Sequence, residues 1–175
     1  VNSFELSIWY DEGRRCTFYT VLKENADENE TDAFFTRFEE VSSPYHDDAL
    51  ALLQLIVAVI GDKYGALDDF FNRPEDKAQA LPPKPNKFIP EVVALGIQFP
   101  LRLYCFRVSE SIVVLFNGGI KSAASALDSD DLRFKFLEAQ NFAQRIAQEM
   151  AEGMIQIDKV NNRLTDFKGN HEIFL

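Results

Sequence analysis

The stretch Pro100-Leu101-Arg102-Leu103-Tyr104-Cys105-Phe106-Arg107-Val108-Ser109-Glu110-Ser111-Ile112-Val113-Val114-Leu115-Phe116-Asn117-Gly118-Gly119-Ile120-Lys121 decides the fold. Residues 101–108 are apolar at most positions on both alternating sets, so they read as a strand covered on both faces and central in a sheet. Ser109-Glu110-Ser111 supplies a tight turn, and residues 112–116 read as a second buried strand. Asn117-Gly118-Gly119 interrupts that strand and predicts a bulge or bend where the backbone needs unusual freedom.

Outward from this hairpin, the N-terminal side supplies another. Phe4, Leu6, Ile8 and Tyr10 alternate with more polar neighbours in a strand over residues 3–10. Asp11-Glu12-Gly13-Arg14-Arg15 makes the connection, and residues 16–22 form the return strand. Residues 24–32 are an acidic, solvated loop, whose sharper reading is a site for a basic partner. Thr31-Asp32 can cap a short helix carrying Phe34, Phe35, Phe38 and Val41. A longer helix follows over residues 47–63, apolar nearly all round, with Gly65 as its stop signal. Residues 72–90 hold Pro74, Pro82, Pro83, Pro85 and Pro90; they read as an ordered surface loop with a short helical turn near Glu75.

On the C-terminal side, Ser129-Asp130-Asp131 opens a last long helix reaching residue 152, its acids at the positive end of the dipole. Residues 154–157 and 163–167 flank the turn pair Asn161-Asn162 and form a C-terminal hairpin. The pattern predicts one α+β domain over residues 1–175.

Composition bounds the chemistry. A chain of 175 residues, 46% apolar with sixteen Phe, fills one core and is short for two domains. The formal net charge of −10 argues against indiscriminate binding of nucleic acid, which needs clustered Lys and Arg. No apolar run is long enough to span a membrane, and no leader pattern opens the chain, so a cytoplasmic protein is expected. Cys16 and Cys105 sit in apolar strands and read as two buried free thiols, a disulfide being the alternative. With only two histidines, His46 and His171, no metal site, cofactor or histidine-dependent nucleophile is expected.

Splitting the charge is more informative than the total. Residues 71–121 carry seven cations (Arg73, Lys77, Lys84, Lys87, Arg102, Arg107 and Lys121) against four acids, a local charge of +3 in a chain whose remainder carries −13. Such a basic centre can form a pocket for one phosphate-rich ligand. Arg102 interrupts an otherwise apolar strand, so its guanidinium must find an acid, a ligand or the strand's end.

On these residues the hairpin resembles that of the RelE/HigB superfamily of toxin proteins, including its phage-derived branch. The family's arginine-bearing strand matches residues 100–106. Its Ile/Val-rich strand, ending in a small residue and lysine, matches residues 112–116 and Gly119-Ile120-Lys121. A looser likeness extends over residues 45–150. The resemblance implies a curved antiparallel sheet packed against helices, to which the N-terminal and C-terminal hairpins are additions. It also implies a RelE-like toxin of a toxin–antitoxin pair, cleaving messenger RNA without metal, often on the ribosome. The ribose 2′-hydroxyl attacks the adjacent phosphate, and cations stabilise the charge that develops. Arg102 and Lys121 then take the catalytic positions, with Lys84, Lys87 and Arg107 as further RNA or phosphate contacts. The implied partners are an antitoxin of helix-turn-helix type and RNA or the ribosome; no membrane is implied, and self-association stays open. A second reading is a non-catalytic interaction protein on a toxin-like fold. It rests on Ser122 at the family's second cationic position, the lack of any tyrosine after Lys121, and the acidic net charge.

Overall fold

The computed structural model describes residues 3–121 and 126–175. Its elements are β1 (Phe4–Tyr10), β2 (Thr17–Lys23), α1 (Glu30–Thr36), α2 (His46–Gln54), β3 (Pro74–Glu75), β4 (Ala78–Leu81), α3 (Pro90–Leu95), β5 (Leu101–Ser109), β6 (Ile112–Ile120), α4 (Ala126–Ala151), β7 (Ile155–Asp158), β8 (Arg163–Asp166) and β9 (Ile173–Phe174). A π-helical segment, Leu55–Tyr64, continues α2 and stops at Gly65, whose φ of 83° suits glycine.

Seven strands form one sheet in the order β3-β4-β5-β6-β2-β1-β9, while β7 and β8 form a separate hairpin. The fold is α+β. The sheet is mixed rather than antiparallel throughout, because β2 runs parallel to β6 through Thr17↔Ile112 to Tyr19↔Val114. That pairing makes the N-terminal hairpin part of the central sheet and not an appendage.

Strand alternation explains why β5 reads as apolar on both faces. Leu101, Leu103 and Cys105 pack into one core with α1, α2 and the π-helical segment. Tyr104 enters a second core on the opposite face, shared with Phe142, Ala143 and Ile146 of α4, and its ring meets Phe136 edge-on at 5.7 Å; Phe106 packs on the same core. The C-terminal hairpin closes this second core: Leu164 is buried and its backbone N–H donates to the Tyr19 hydroxyl at 2.9 Å.

Two expectations are corrected in the proline-rich stretch. No helical turn forms near Glu75; residues 74–75 are β3. Residues 78–81 are β4, a genuine sheet strand paired with β5 through Gln79↔Cys105 and Leu81↔Leu103. Prolines on both sides mask it in the sequence, while its two alanines, Ala78 and Ala80, are buried in the core shared with α4. The last helix begins at Ala126, three residues before Ser129, and α1 is capped by Asn29, which accepts from the Asp32 N–H at 2.8 Å, rather than by Thr31-Asp32.

Cys16 and Cys105 are both buried and unbridged. Burial pushes the Cys16 thiol up from its ordinary value of 9.0 to about 12, and burial raises Cys105 as well. Both thiols are therefore protonated at neutral pH and inert as nucleophiles. Native protein at pH 8 is expected to show no reaction with a thiol-specific disulfide reagent, and both cysteines to react once urea unfolds it. A rapidly reacting native thiol would contradict the packing. The sign of the linkage is alkaline destabilisation: above pH 9 the unfolded chain releases thiol protons that the folded chain retains.

Among the described residues, no helix is long and apolar enough to cross a membrane.

Candidate functional site

The hairpin that carries the candidate cations is held by a close backbone approach. Between Leu103↔Gly118 and Cys105↔Leu115, one residue of β5 faces two of β6, which is the bulge expected at Asn117-Gly118-Gly119. Below the bulge Arg102 pairs with Gly119, and Leu101 with Ile120. Lys121 continues the ladder, its backbone N–H donating to the Pro100 carbonyl at 2.7 Å. Lys121 is exposed, and two residues beyond Gly119 strand alternation puts it on the sheet face that Arg102 shares.

Arg102, however, is only 4% exposed. Its Nη1 donates to the carbonyls of Phe99 at 3.0 Å and Leu101 at 2.8 Å, so the guanidinium ties the entry of β5 to itself. This face lies beneath α4: a Cβ built on Gly119 would stand 3.2 Å from Asp131 Oδ2 and 3.5 Å from the Leu132 side chain. A hollow of about 370 Å³ beside it is lined by Arg37, Asn117, Asp128, Asp131 and Lys135. Arg37 is held there by Asp131 at 2.7 Å and Asp128 at 3.3 Å. Two cations meet two carboxylates, so the hollow offers no net positive charge to a phosphate.

Among the described residues, Arg102 and Lys121 are not in the lining of that hollow. Arg107 lies five residues from Arg102 along β5 and so on the other face. Its Nε donates to the Ala66 carbonyl at 2.6 Å and its Nη1 pairs with Asp68 at 3.3 Å. Lys84 and Lys87 are exposed on the loop before α3. The Lys84 backbone is clamped by the Asn72 side chain through bonds of 2.7 and 3.1 Å, and the Lys87 ammonium sits 5.1 Å from the centre of the Phe88 ring. Ser122 lies outside the described residues, so its position is not part of this geometry.

A different site emerges between α1 and α2. Thr31 is fully buried, and its Oγ1 donates to the Phe116 carbonyl at 3.3 Å while standing 2.6 Å from Thr20 Oγ1. This pins α1 to the sheet. Phe34 enters the core and makes edge contacts with Phe35 and Phe38 at 5.0 and 5.3 Å. Trp9 stacks on Phe35 at 5.9 Å and donates to Asp32 at 2.8 Å. The result is a groove of about 450 Å³ with Phe35, Phe38, Leu50 and Leu53 in its walls and Glu28, Asp32 and Glu39 around them.

No family model, no curated protein and no solved structure matches this chain. The site must therefore be read from its own chemistry. Among the described residues, no group of three or more His, Cys, Asp or Glu is arranged to hold a metal. His46, at the groove, has Nδ1 3.1 Å from the Phe38 carbonyl, in the turn that follows α1. The acidic part of the groove was legible in residues 24–32; its apolar part was not, because Phe35 and Leu50 come together only when two helices pack.

Proposed function

We propose that this chain is a non-catalytic interaction protein on a fold similar to that of the RelE/HigB toxins. One observation carries the reading: the arginine assigned to phosphate is buried beneath α4 and donates to carbonyls at its own strand's start. Transition-state stabilisation requires donors aimed at the place where charge develops. Arg102 gives Nη1 to backbone oxygens instead. Arg107 is engaged on the opposite face, and Lys121 alone, exposed at the end of β6, is a weak basis for phosphoryl chemistry. The acidic net charge points the same way, since RNA binding would begin against a repulsive field.

The test is messenger RNA cleavage by purified protein in the presence of translating ribosomes, together with growth on induced expression. The expected result is intact RNA and unimpaired growth. Cleavage at defined positions, lost in a folded Lys121→Ala variant, would restore the ribonuclease reading.

A further inference from the structure

The groove between α1 and α2 combines an apolar floor with an acidic rim. Leu50 is 49% exposed, and Phe35 is only partly covered. The hollow of about 450 Å³ falls in the range of true ligand sites. Residues 24–48 hold nine acids against Arg37 as their one cation; three of the nine, Glu28, Asp32 and Glu39, line the groove, while Glu30 is buried and pairs with Lys23 at 3.6 Å. Arg37 does not neutralise the rim, because it is bound to Asp128 and Asp131 of α4. Among the described residues, neither Glu28, Asp32 nor Glu39 takes part in an ion pair with Lys or Arg; Glu28 accepts from the Thr36 hydroxyl at 2.7 Å, and Asp32 from Trp9 and Asn29.

We propose that this groove docks a basic amphipathic helix of a protein partner. The proposal rests on the interaction reading above and gives it a place and a partner chemistry. An apolar trough between two helices receives one face of a third helix, with bulky side chains at i, i+3 and i+4 as anchors. Lys and Arg on the flanks of that helix meet Glu28, Asp32 and Glu39. The same rim repels the phosphates of nucleic acid and the headgroups of anionic lipid. An added β-strand is disfavoured, because the walls are helical and present no open ladder of N–H and C=O groups.

The probe is a fluorescein-labelled Leu/Lys amphipathic helix of about five turns, with a Leu/Glu counterpart of equal length as control. Binding is read by fluorescence anisotropy for the wild type and for Leu50→Lys, Glu39→Lys and Glu152→Lys, the last an equal change in charge on exposed surface at the end of α4. Thermal melts confirm that each variant is folded. The expected result is saturable, salt-sensitive binding of the Leu/Lys helix to wild type and to Glu152→Lys, no binding of the Leu/Glu helix, and a loss of roughly tenfold or more in both groove variants. Binding that is equal in all four proteins, or absent up to about 1 mM, overturns the proposal. So does self-association that Leu50→Lys abolishes while the peptide fails to bind, because the occupant is then a second copy, presenting its exposed Phe88 and Lys87. Failure here leaves the non-catalytic reading standing; only RNA cleavage removes that.

Discussion

Gly118→Val is expected to unfold the protein or to leave it marginal. A Cβ built at this position would lie 1.8 Å from the Arg102 carbonyl oxygen and 2.8 Å from its carbon. These are backbone atoms of the neighbouring strand, so no rotamer change relieves the overlap. Strands β5 and β6 must separate at the bulge, breaking the ladder between the two cores. The cost should reach about 4 kcal/mol, a large share of a typical domain's total of roughly 5–15 kcal/mol. Gly119→Ala is the comparison. Its Cβ would meet Asp131 Oδ2 at 3.2 Å and Arg37 Nη1 at 3.4 Å, both ends of flexible side chains, so a loss of about 1 kcal/mol or less is expected. Urea denaturation separates the two. Equal midpoints would show that the register at the bulge is not the one described.

Arg102→Ala should be the next most damaging change, and its damage should be to stability. The substitution empties space in a buried layer and removes the donor from the Phe99 and Leu101 carbonyls. Cavity and lost hydrogen bonds together are worth about 3–5 kcal/mol. Arg102→Met keeps most of the stem's volume and also removes a buried charge that was costly to desolvate, so its loss should be smaller, about 1–3 kcal/mol. Lys121→Ala, at an exposed site, should stay within about 0.5 kcal/mol of wild type. A ligand-facing arginine predicts the reverse: Arg102→Ala would melt like wild type, or higher. The order of the three denaturation midpoints therefore decides whether Arg102 serves the fold or a substrate.

Much of the architecture was legible because it is local. The β5–β6 hairpin announced itself through continuous apolar residues, and its bulge through Asn117-Gly118-Gly119. The C-terminal hairpin did so through Asn161-Asn162, where Asn162 takes a φ of 54°. What escaped was set by distant partners. β4 is short, alanine-rich and hemmed by prolines, and its strand identity comes from pairing with β5. The parallel β2–β6 contact joins segments nearly a hundred residues apart, and no local pattern encodes it. For Arg102, the interrupted apolar strand correctly demanded a partner for the guanidinium, yet could not tell a phosphate from two carbonyls at the strand's start. The groove was half visible, as acids without their apolar floor.

Mapping backbone amide chemical shifts of the labelled protein, while the Leu/Lys helix is added, tests the central claim most directly. A binding surface on α1 and α2 predicts perturbations clustered over residues 28–53, with β5, β6 and Lys121 unmoved. Shifts centred on the β5–β6 hairpin, or none at all, would contradict it.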